Sequence, residues 1–512
     1  MASRPKSDDT HDVIGLVLGG AFGAALTALL GGCGLTLSET GGDAPAIWGF
    51  VGFIGLIVTT PLFRVGLSLS SSGALAGSLG GAAVIGALLY TTLGEGAVGV
   101  WEARTERPLG IEAVGSWQTD DLVIRARPDR VTARALSDGT AAWSWAPPGR
   151  DVVCAMSRET TGGVGLIGHA PEGRPCTTVR ALDLTTGGPR WTATLPVRAV
   201  KAGGPRPDLV AAGHGLALLP TADGWRALDA KDGKDRWLTR AEPGCVPLLV
   251  HTDPDNDPDT DTDTGPGTGA GIRPGTLVTV ADCGAGKAPV LRTLAPGTGR
   301  QTARAALPAR GVPEQLAVLS ARPLAVWVWE REVRGTRAVL SYDELGKRRA
   351  TIPASAPRHE LRVVPALGDL PEPVFAARPT RTAVVVGDTL VMPGVRPGDN
   401  EHRGTGKGAT WVKRSRLVGH SLATGRRLWT TEELKNHLHG LTSDGSAVWA
   451  LKDTDLLRID PRTGRIVRDV SLHELDDTPR HPVDLRVSGD RYTLVNEDGT
   501  NGRAPVRVLR HS

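Results

Sequence analysis

Arg180–Trp191 reads Arg-Ala-Leu-Asp-Leu-Thr-Thr-Gly-Gly-Pro-Arg-Trp, and Arg226–Trp237 repeats it as Arg-Ala-Leu-Asp-Ala-Lys-Asp-Gly-Lys-Asp-Arg-Trp. A looser copy runs Gly419–Trp429, with Thr424-Gly425 at its centre. An echo at Leu457–Arg468 keeps Asp460 and Thr463-Gly464 but has Arg468 where Trp would stand. Each copy joins a short alternating segment to a second short segment through a polar turn. Alternation predicts a strand with one buried face. The glycines Gly187, Gly233, Gly425 and Gly464 supply the positive φ of a tight hairpin, and Asp183, Asp229 and Asp460 offer a side-chain oxygen to the turn amides. Trp191, Trp237 and Trp429, four residues past their glycines, put a large apolar body on one face, where it can wedge between neighbouring sheets.

Anchored on that glycine, turns fall at Gly139, Gly187, Gly233, Gly299, Gly346, Gly425 and Gly464. The slot four residues on holds Trp143, Trp191, Trp237 and Trp429, and Ala303, Ala350 and Arg468 in the other three. The shorter spacings approach the roughly 40–45 residues of a four-stranded propeller blade. Past the last turn, Asp484–Val487, Arg491–Val495 and Val506–Leu509 read as three further strands, and a segment near Glu112–Trp117 is expected to supply their fourth. Such a closure joins the two ends of the domain and removes open sheet edges. The expected fold is all-β: an eight-bladed β-propeller, with seven blades as the alternative. What repeats contains no nucleophile, base or metal-ligand set.

The repeat resembles that of the pyrroloquinoline-quinone-type (PQQ-like) propellers, with its Leu-Asp, Thr-Gly turn and Trp, over roughly residues 110–512. Arg180–Trp191, Arg226–Trp237 and Gly419–Trp429 match it best. The resemblance implies a fold shared by quinone-dependent dehydrogenases, a lipoprotein of outer-membrane barrel assembly, and bacterial surface or sensor proteins that bind no quinone. Quinone-using relatives typically carry a vicinal disulfide, a Trp floor and a calcium site. This chain has no adjacent cysteine pair.

The N-terminal hundred residues have another character. Val13–Leu37, Ala44–Phe63 and Gly73–Leu93 are apolar runs, each near or beyond the roughly 20 residues that span a bilayer core. They predict three transmembrane helices, the second interrupted by Pro61 and open to a re-entrant reading. The first is no signal peptide, because two more spans follow it without a clear cleavage site. Arg4 and Lys6 precede the first run, the first loop holds only Glu39 and Asp43, and Arg64 stands in the second loop. The positive-inside rule then places residues 1–12 in the cytoplasm and, after three spans, the propeller outside. The resulting organisation is a tail at 1–12, a membrane domain at 13–100, a linker at 101–110 and the propeller at 111–512. Gly15, Gly19 and Gly23, like Gly73, Gly77 and Gly81, have the four-residue spacing that lets helix backbones pack closely.

Five cysteines are present. Cys33 lies in the first apolar run, and Cys154, Cys176, Cys245 and Cys283 lie in the propeller. Four cysteines allow three pairings. Placement within the blades favours Cys154–Cys176 and Cys245–Cys283, each tying one blade. Disulfides persist in oxidising compartments, which agrees with an external propeller.

Asp253, Asp255, Asp257, Asp259, Asp261 and Asp263 alternate in a stretch that interrupts the fourth blade. They are the candidate calcium ligands, although the stretch lacks the order of an EF-hand loop and also suits a solvated, like-charged loop. His437 and His439 share one face of a strand, with His420 nearby in sequence and no identifiable third ligand. Pro353–Pro379 and Val395–Lys413, rich in Pro, Gly and charge, are expected at a rim. The formal net charge is only +4 and Arg is dispersed, which argues against a nucleic-acid footprint. No catalytic fingerprint stands out. The expected protein is a non-catalytic, membrane-anchored binding or scaffolding propeller. Its partner is an envelope protein, a cell-wall polymer or a small ligand, and no resident cofactor is expected. The alternatives are a membrane-tethered PQQ- and calcium-dependent dehydrogenase, or a sensor relaying to a membrane partner.

Overall fold

The computed structural model describes residues 95–108, 111, 113–196, 209–252, 275–356, 359–361, 374–375, 383–395, 400–403, 410–435, 438–472, 483–496 and 504–511. The three apolar runs, the Asp-rich stretch and much of both insertions lie outside these residues. Among the described residues no helix is long and apolar enough to cross a membrane. The chain divides into two compact units. One comprises Gly99–Arg468 with Thr478–Arg510, and it carries the blades described below except for the strand ends Glu95–Val98, Asp469–Ser471 and His511.

That unit is built of four-stranded antiparallel blades strung in chain order. The first runs from Gly115–Gln118 to Ala141–Trp145, the second from Asp151–Met156 to Pro189–Thr194, and the third from Ala211–Gly213 to Asp235–Arg240. The fourth runs from Val246–Thr252 to Gln301–Ala306, and the fifth from Gln315–Ala321 to Arg348–Pro353. The sixth is centred on Val384–Val386, Thr389–Val395, Thr410–Ser421 and Arg427–Thr430, and the seventh runs from Leu438–Ser443 to Ile466–Ser471. Val483–Ser488, Arg491–Asn496 and Val506–His511 make three strands of the eighth.

Burial separates inside from outside. The first strands are mostly buried, whereas fourth strands such as Pro189–Thr194 and Asp235–Arg240 alternate between exposed and half-buried positions. First strands of successive blades also touch. The Thr252 hydroxyl donates to the Ala212 carbonyl across the third and fourth blades, at 2.9 Å. This is the arrangement of a β-propeller, with first strands inside and fourth strands outside.

The last blade is completed differently from the sequence expectation. Its fourth strand is Glu95–Glu102, which lies beside Val506–His511. The segment near Glu112–Trp117 instead leads into Gly115–Gln118, the first strand of the first blade. The physical reason is the docking of Trp101. Its indole packs on Gly139 and donates to the Leu136 carbonyl at 3.0 Å, while Ala103, Val123, Leu136, Val495, Val506 and Val508 form the core beneath it. Ala103 N–H continues the ladder to the Val506 carbonyl at 2.9 Å. Trp117, by contrast, is fully buried toward the second blade, where its indole donates to the Ser157 carbonyl at 2.8 Å. A residue so engaged inside the first blade cannot serve as the outer strand of the last.

The insertion after the fifth blade also adds structure. Val374–Phe375 pairs in parallel with Gln315–Leu316, extending the fifth blade at its first strand.

Candidate ligand-facing surfaces of the propeller

The repeat residues recur in one geometry. All seven turn glycines have positive φ, from 66° at Gly299 to 82° at Gly346. Asp183 accepts from the amides of Thr185 and Thr186 at 2.9 and 3.0 Å, Asp229 from Lys231 at 2.9 Å, and Asp460 from Arg462 at 2.7 Å. Burial of Asp183 opposes its ionisation. The Arg190 guanidinium and the amides of Thr186 and Thr185 outweigh that effect and hold the carboxyl below its ordinary range. The Arg462 amide does most to hold Asp460 low.

Each tryptophan docks on the next turn along the chain. Trp143 lies on Gly187, Trp191 on Gly233, Trp237 on Gly299 and Trp429 on Gly464. Their indoles donate to the carbonyls of Leu184, Ala230, Pro296 and Pro461 at 2.6–2.8 Å. In every case, as with Trp101, the acceptor is the third residue before the docked glycine. Where the slot holds Ala303 or Ala350 the rule changes: Gly346 stands against the Arg304 backbone, and Gly425 against the Thr351 carbonyl. These residues build the scaffold.

Cys154 is bonded to Cys176 and Cys245 to Cys283, each pair within one blade. The six aspartates from Asp253 to Asp263, and His437, lie outside the described residues. His439 is buried with Nε2 3.7 Å from Asp453, and His420 is buried on the sixth blade. Among the described residues no group of three or more His, Cys, Asp or Glu side chains could hold a metal.

Sequence reasoning missed the polar groups that converge among the first strands. Arg158, in the loop after the first strand of the second blade, donates Nη1 to His251 Nδ1 on the fourth blade at 3.1 Å and to the Val318 carbonyl on the fifth at 3.2 Å. One side chain therefore links three blades. Burial, with the Arg158 charge beside it, pushes His251 well below the ordinary histidine range, so the ring is neutral and accepts this bond. Arg322 of the fifth blade donates to the Thr276 hydroxyl of the fourth at 2.6 Å. The seam between the first and last blades has its own clasp. The Ser116 hydroxyl donates to Asp484 at 2.6 Å, and Arg486 donates to the Ser116 carbonyl at 3.0 Å and to Asp484 at 3.1 Å. Arg125 closes the same seam through the Asn496 carbonyl at 3.1 Å and an ion pair with Glu106. Sequence separations of 93 residues for Arg158–His251 and 368 for Ser116–Asp484 hide such pairs from any local pattern.

A PQQ site of the kind the resemblance implies typically carries a vicinal disulfide and calcium ligands. The cysteines here pair across 22 and 38 residues, and the described residues supply no carboxylate set for calcium.

No family model matches this chain, and no curated protein matches it. Solved structures similar to it include BamB from Moraxella catarrhalis, at 15% identity over 81% of this chain and 99% of that one, with a TM-score of 0.44. The computationally designed Ika8 protein is similar at 13% identity over 81% of this chain and 100% of its own, with a TM-score of 0.45. A europium-containing methanol dehydrogenase is similar at 12% identity over 78% and 84%, with a TM-score of 0.41. The propeller assignment stands on the strand order and the Trp–glycine docking, not on these likenesses.

Proposed function

We propose that this chain is a membrane-anchored propeller displayed outside the cytoplasmic membrane, and that it binds an envelope protein, a wall polymer or a small ligand without converting it. The observation that carries the reading is the pair of disulfides, each inside one blade. Such bonds persist in oxidising compartments. They agree with the orientation given by three uncharged apolar runs and the basic residues before them. The converging polar groups favour binding over chemistry, since Arg158, His251, Ser116, Asp484 and Arg486 are engaged with one another across blades. They brace the ring rather than present a base and a nucleophile to a substrate.

Cross-linking in intact cells, followed by mass spectrometry of captured neighbours, tests this. Reproducible capture of envelope proteins or wall fragments through propeller residues is the expected result. Capture of cytoplasmic proteins through those residues would refute it.

A further inference from the structure

The outer strands of the propeller differ from one side of the ring to the other. In each blade one exposed residue stands immediately before the docked tryptophan, or before the residue in its slot. On the second to fifth blades it is Arg190, Arg236, Thr302 and Arg349. On the sixth, seventh, eighth and first it is Leu428, Val467, Val100 and Ala142. Leu428 is 49% exposed, Val467 41% and Val100 37%, and Ile466 beside Val467 is 42% exposed. The four apolar positions follow one another around the ring. Trp429 joins the sixth blade to the seventh at Gly464, Gly440 of the seventh stands against Leu485 of the eighth, and Trp101 joins the eighth to the first at Gly139. At this position half of the rim is therefore polar and half apolar. Leu238 of the third blade stands alone between Arg236 and Arg240, and single exposed apolar residues are ordinary on protein surfaces.

Charge divides along the same line. Arginines of the polar half are tied to carboxylates: Arg190 to Asp183, Arg236 to Asp229, Arg304 to Glu242 and Arg349 to Asp388. On the apolar half, Arg426 and Arg427 precede Leu428, and Arg465 precedes Ile466. All three are exposed, and among the described residues none of them is in an ion pair. Glu102, an exposed carboxylate on the same half, is itself paired with Arg507. An apolar arc edged by such cations matches the layering of a membrane surface, with acyl chains beneath anionic headgroups.

The chain also leads there. The strand that carries Val100 begins at Glu95, and only Gly94 separates it from Leu93, the end of the third apolar run. One extended residue spans at most about 3.6 Å. A run that crosses the bilayer therefore brings this outer strand to the membrane surface with no stalk between them. We propose that the outer strands of the sixth to eighth blades, with Ala142 of the first at their margin, dock on an anionic phospholipid surface. The propeller then lies edge-on against the membrane instead of hanging from a tether. This deepens the reading of the chain as a membrane-anchored propeller and rests on that reading.

The test uses the full chain reconstituted in phosphatidylglycerol liposomes. The photo-crosslinker p-benzoylphenylalanine replaces Val467, Leu428 or, on the polar half, Arg236. All three sites are exposed, and an unchanged thermal transition verifies each variant. After irradiation, phospholipid adducts read by mass spectrometry are expected at positions 467 and 428 and not at 236. In phosphatidylcholine liposomes the yield at 467 should fall at least about fivefold, the attraction of one arginine to an anionic surface being of that order. Absence of lipid adducts at both 467 and 428, or equal yields at 467 and 236, overturns the docking face. So does a protein cross-link at 467 in place of lipid, to a second copy or to any other chain. Equal yields in the two lipids overturn the anionic surface. Alkaline carbonate extraction of the same liposomes separates this proposal from the reading beneath it. A chain that stays in the bilayer without lipid adducts loses the docking face and keeps its anchor, whereas a chain released by alkali loses both.

Discussion

Replacing Gly233 by alanine probes the repeated docking directly. Gly233 has φ +73°, and an added Cβ would lie 2.7 Å from Trp191 Cγ. Two costs follow. Left-handed backbone costs an L-residue about 1–2 kcal/mol, and forced overpacking against a large ring adds about 1–3 kcal/mol. Gly173 isolates the first cost, since its φ is +72° and a Cβ there would meet nothing within 4 Å. Any entropy that alanine removes from the unfolded chain is common to both sites. Gly233→Ala should therefore be the more destabilising by about 1–3 kcal/mol. Trp191→Ala removes both the ring and its 2.8 Å bond to the Ala230 carbonyl. Because Trp191 is only part-buried, its loss should cost about 3 kcal/mol, the low end for large aromatic residues. In the Trp191→Ala background the excess at Gly233 should vanish, giving a coupling energy of about 1–3 kcal/mol. The assay is chemical denaturation of the full chain in detergent, followed by far-ultraviolet circular dichroism so that loss of a fluorophore does not intrude. Equal costs at Gly233 and Gly173, or strict additivity with Trp191→Ala, would refute the docking argument.

Three further outcomes are expected. His251 is held neutral by burial and by Arg158, so in acid the unfolded chain binds a proton that the native chain does not; stability should fall as pH drops below the ordinary value of 6.5. The limiting slope is about 1.4 kcal/mol per pH unit, and His251→Gln should flatten a melting-temperature profile taken from neutral pH into mild acid. Cys154→Ser with Cys176→Ser opens a loop of 22 residues and should cost about 3 kcal/mol by loss of chain constraint, read as a lower denaturation midpoint that reductant no longer shifts at this bond. Trp101→Ala should speed amide exchange in Glu95–Glu102 and Val506–His511 while leaving the third and fourth blades unchanged, because its core lies at the seam of the first and last blades.

Much of the scaffold was readable because each blade turn forces a residue choice. A positive φ selects glycine, an Asp oxygen caps the turn amides, and a Trp must reach the next turn. The seven turns from Gly139 to Gly464 all have that backbone. The closing strand was misread because the last blade has no such turn: its third and fourth strands come from opposite ends of the chain. The available signal was Trp101 itself, one Trp at the end of the alternating stretch Val98-Gly99-Val100-Trp101. At Ala303 and Ala350 the repeat gave no Trp, and the chain substitutes backbone contact at Gly346 and Gly425. The converging groups were illegible for another reason. Arg158, His251 and Val318 belong to three blades, and only ring closure brings them together. The Asp151–His169 pair spans just 18 residues, yet the indole beside it, Trp145, comes from a neighbouring blade.

The most direct trial of the proposed role is sidedness. Protease added to intact cells carrying an epitope tag on the first residues should remove propeller fragments and leave the tag protected. Loss of the tag with the disulfide-tied blades untouched would put them on the cytoplasmic side and contradict the account.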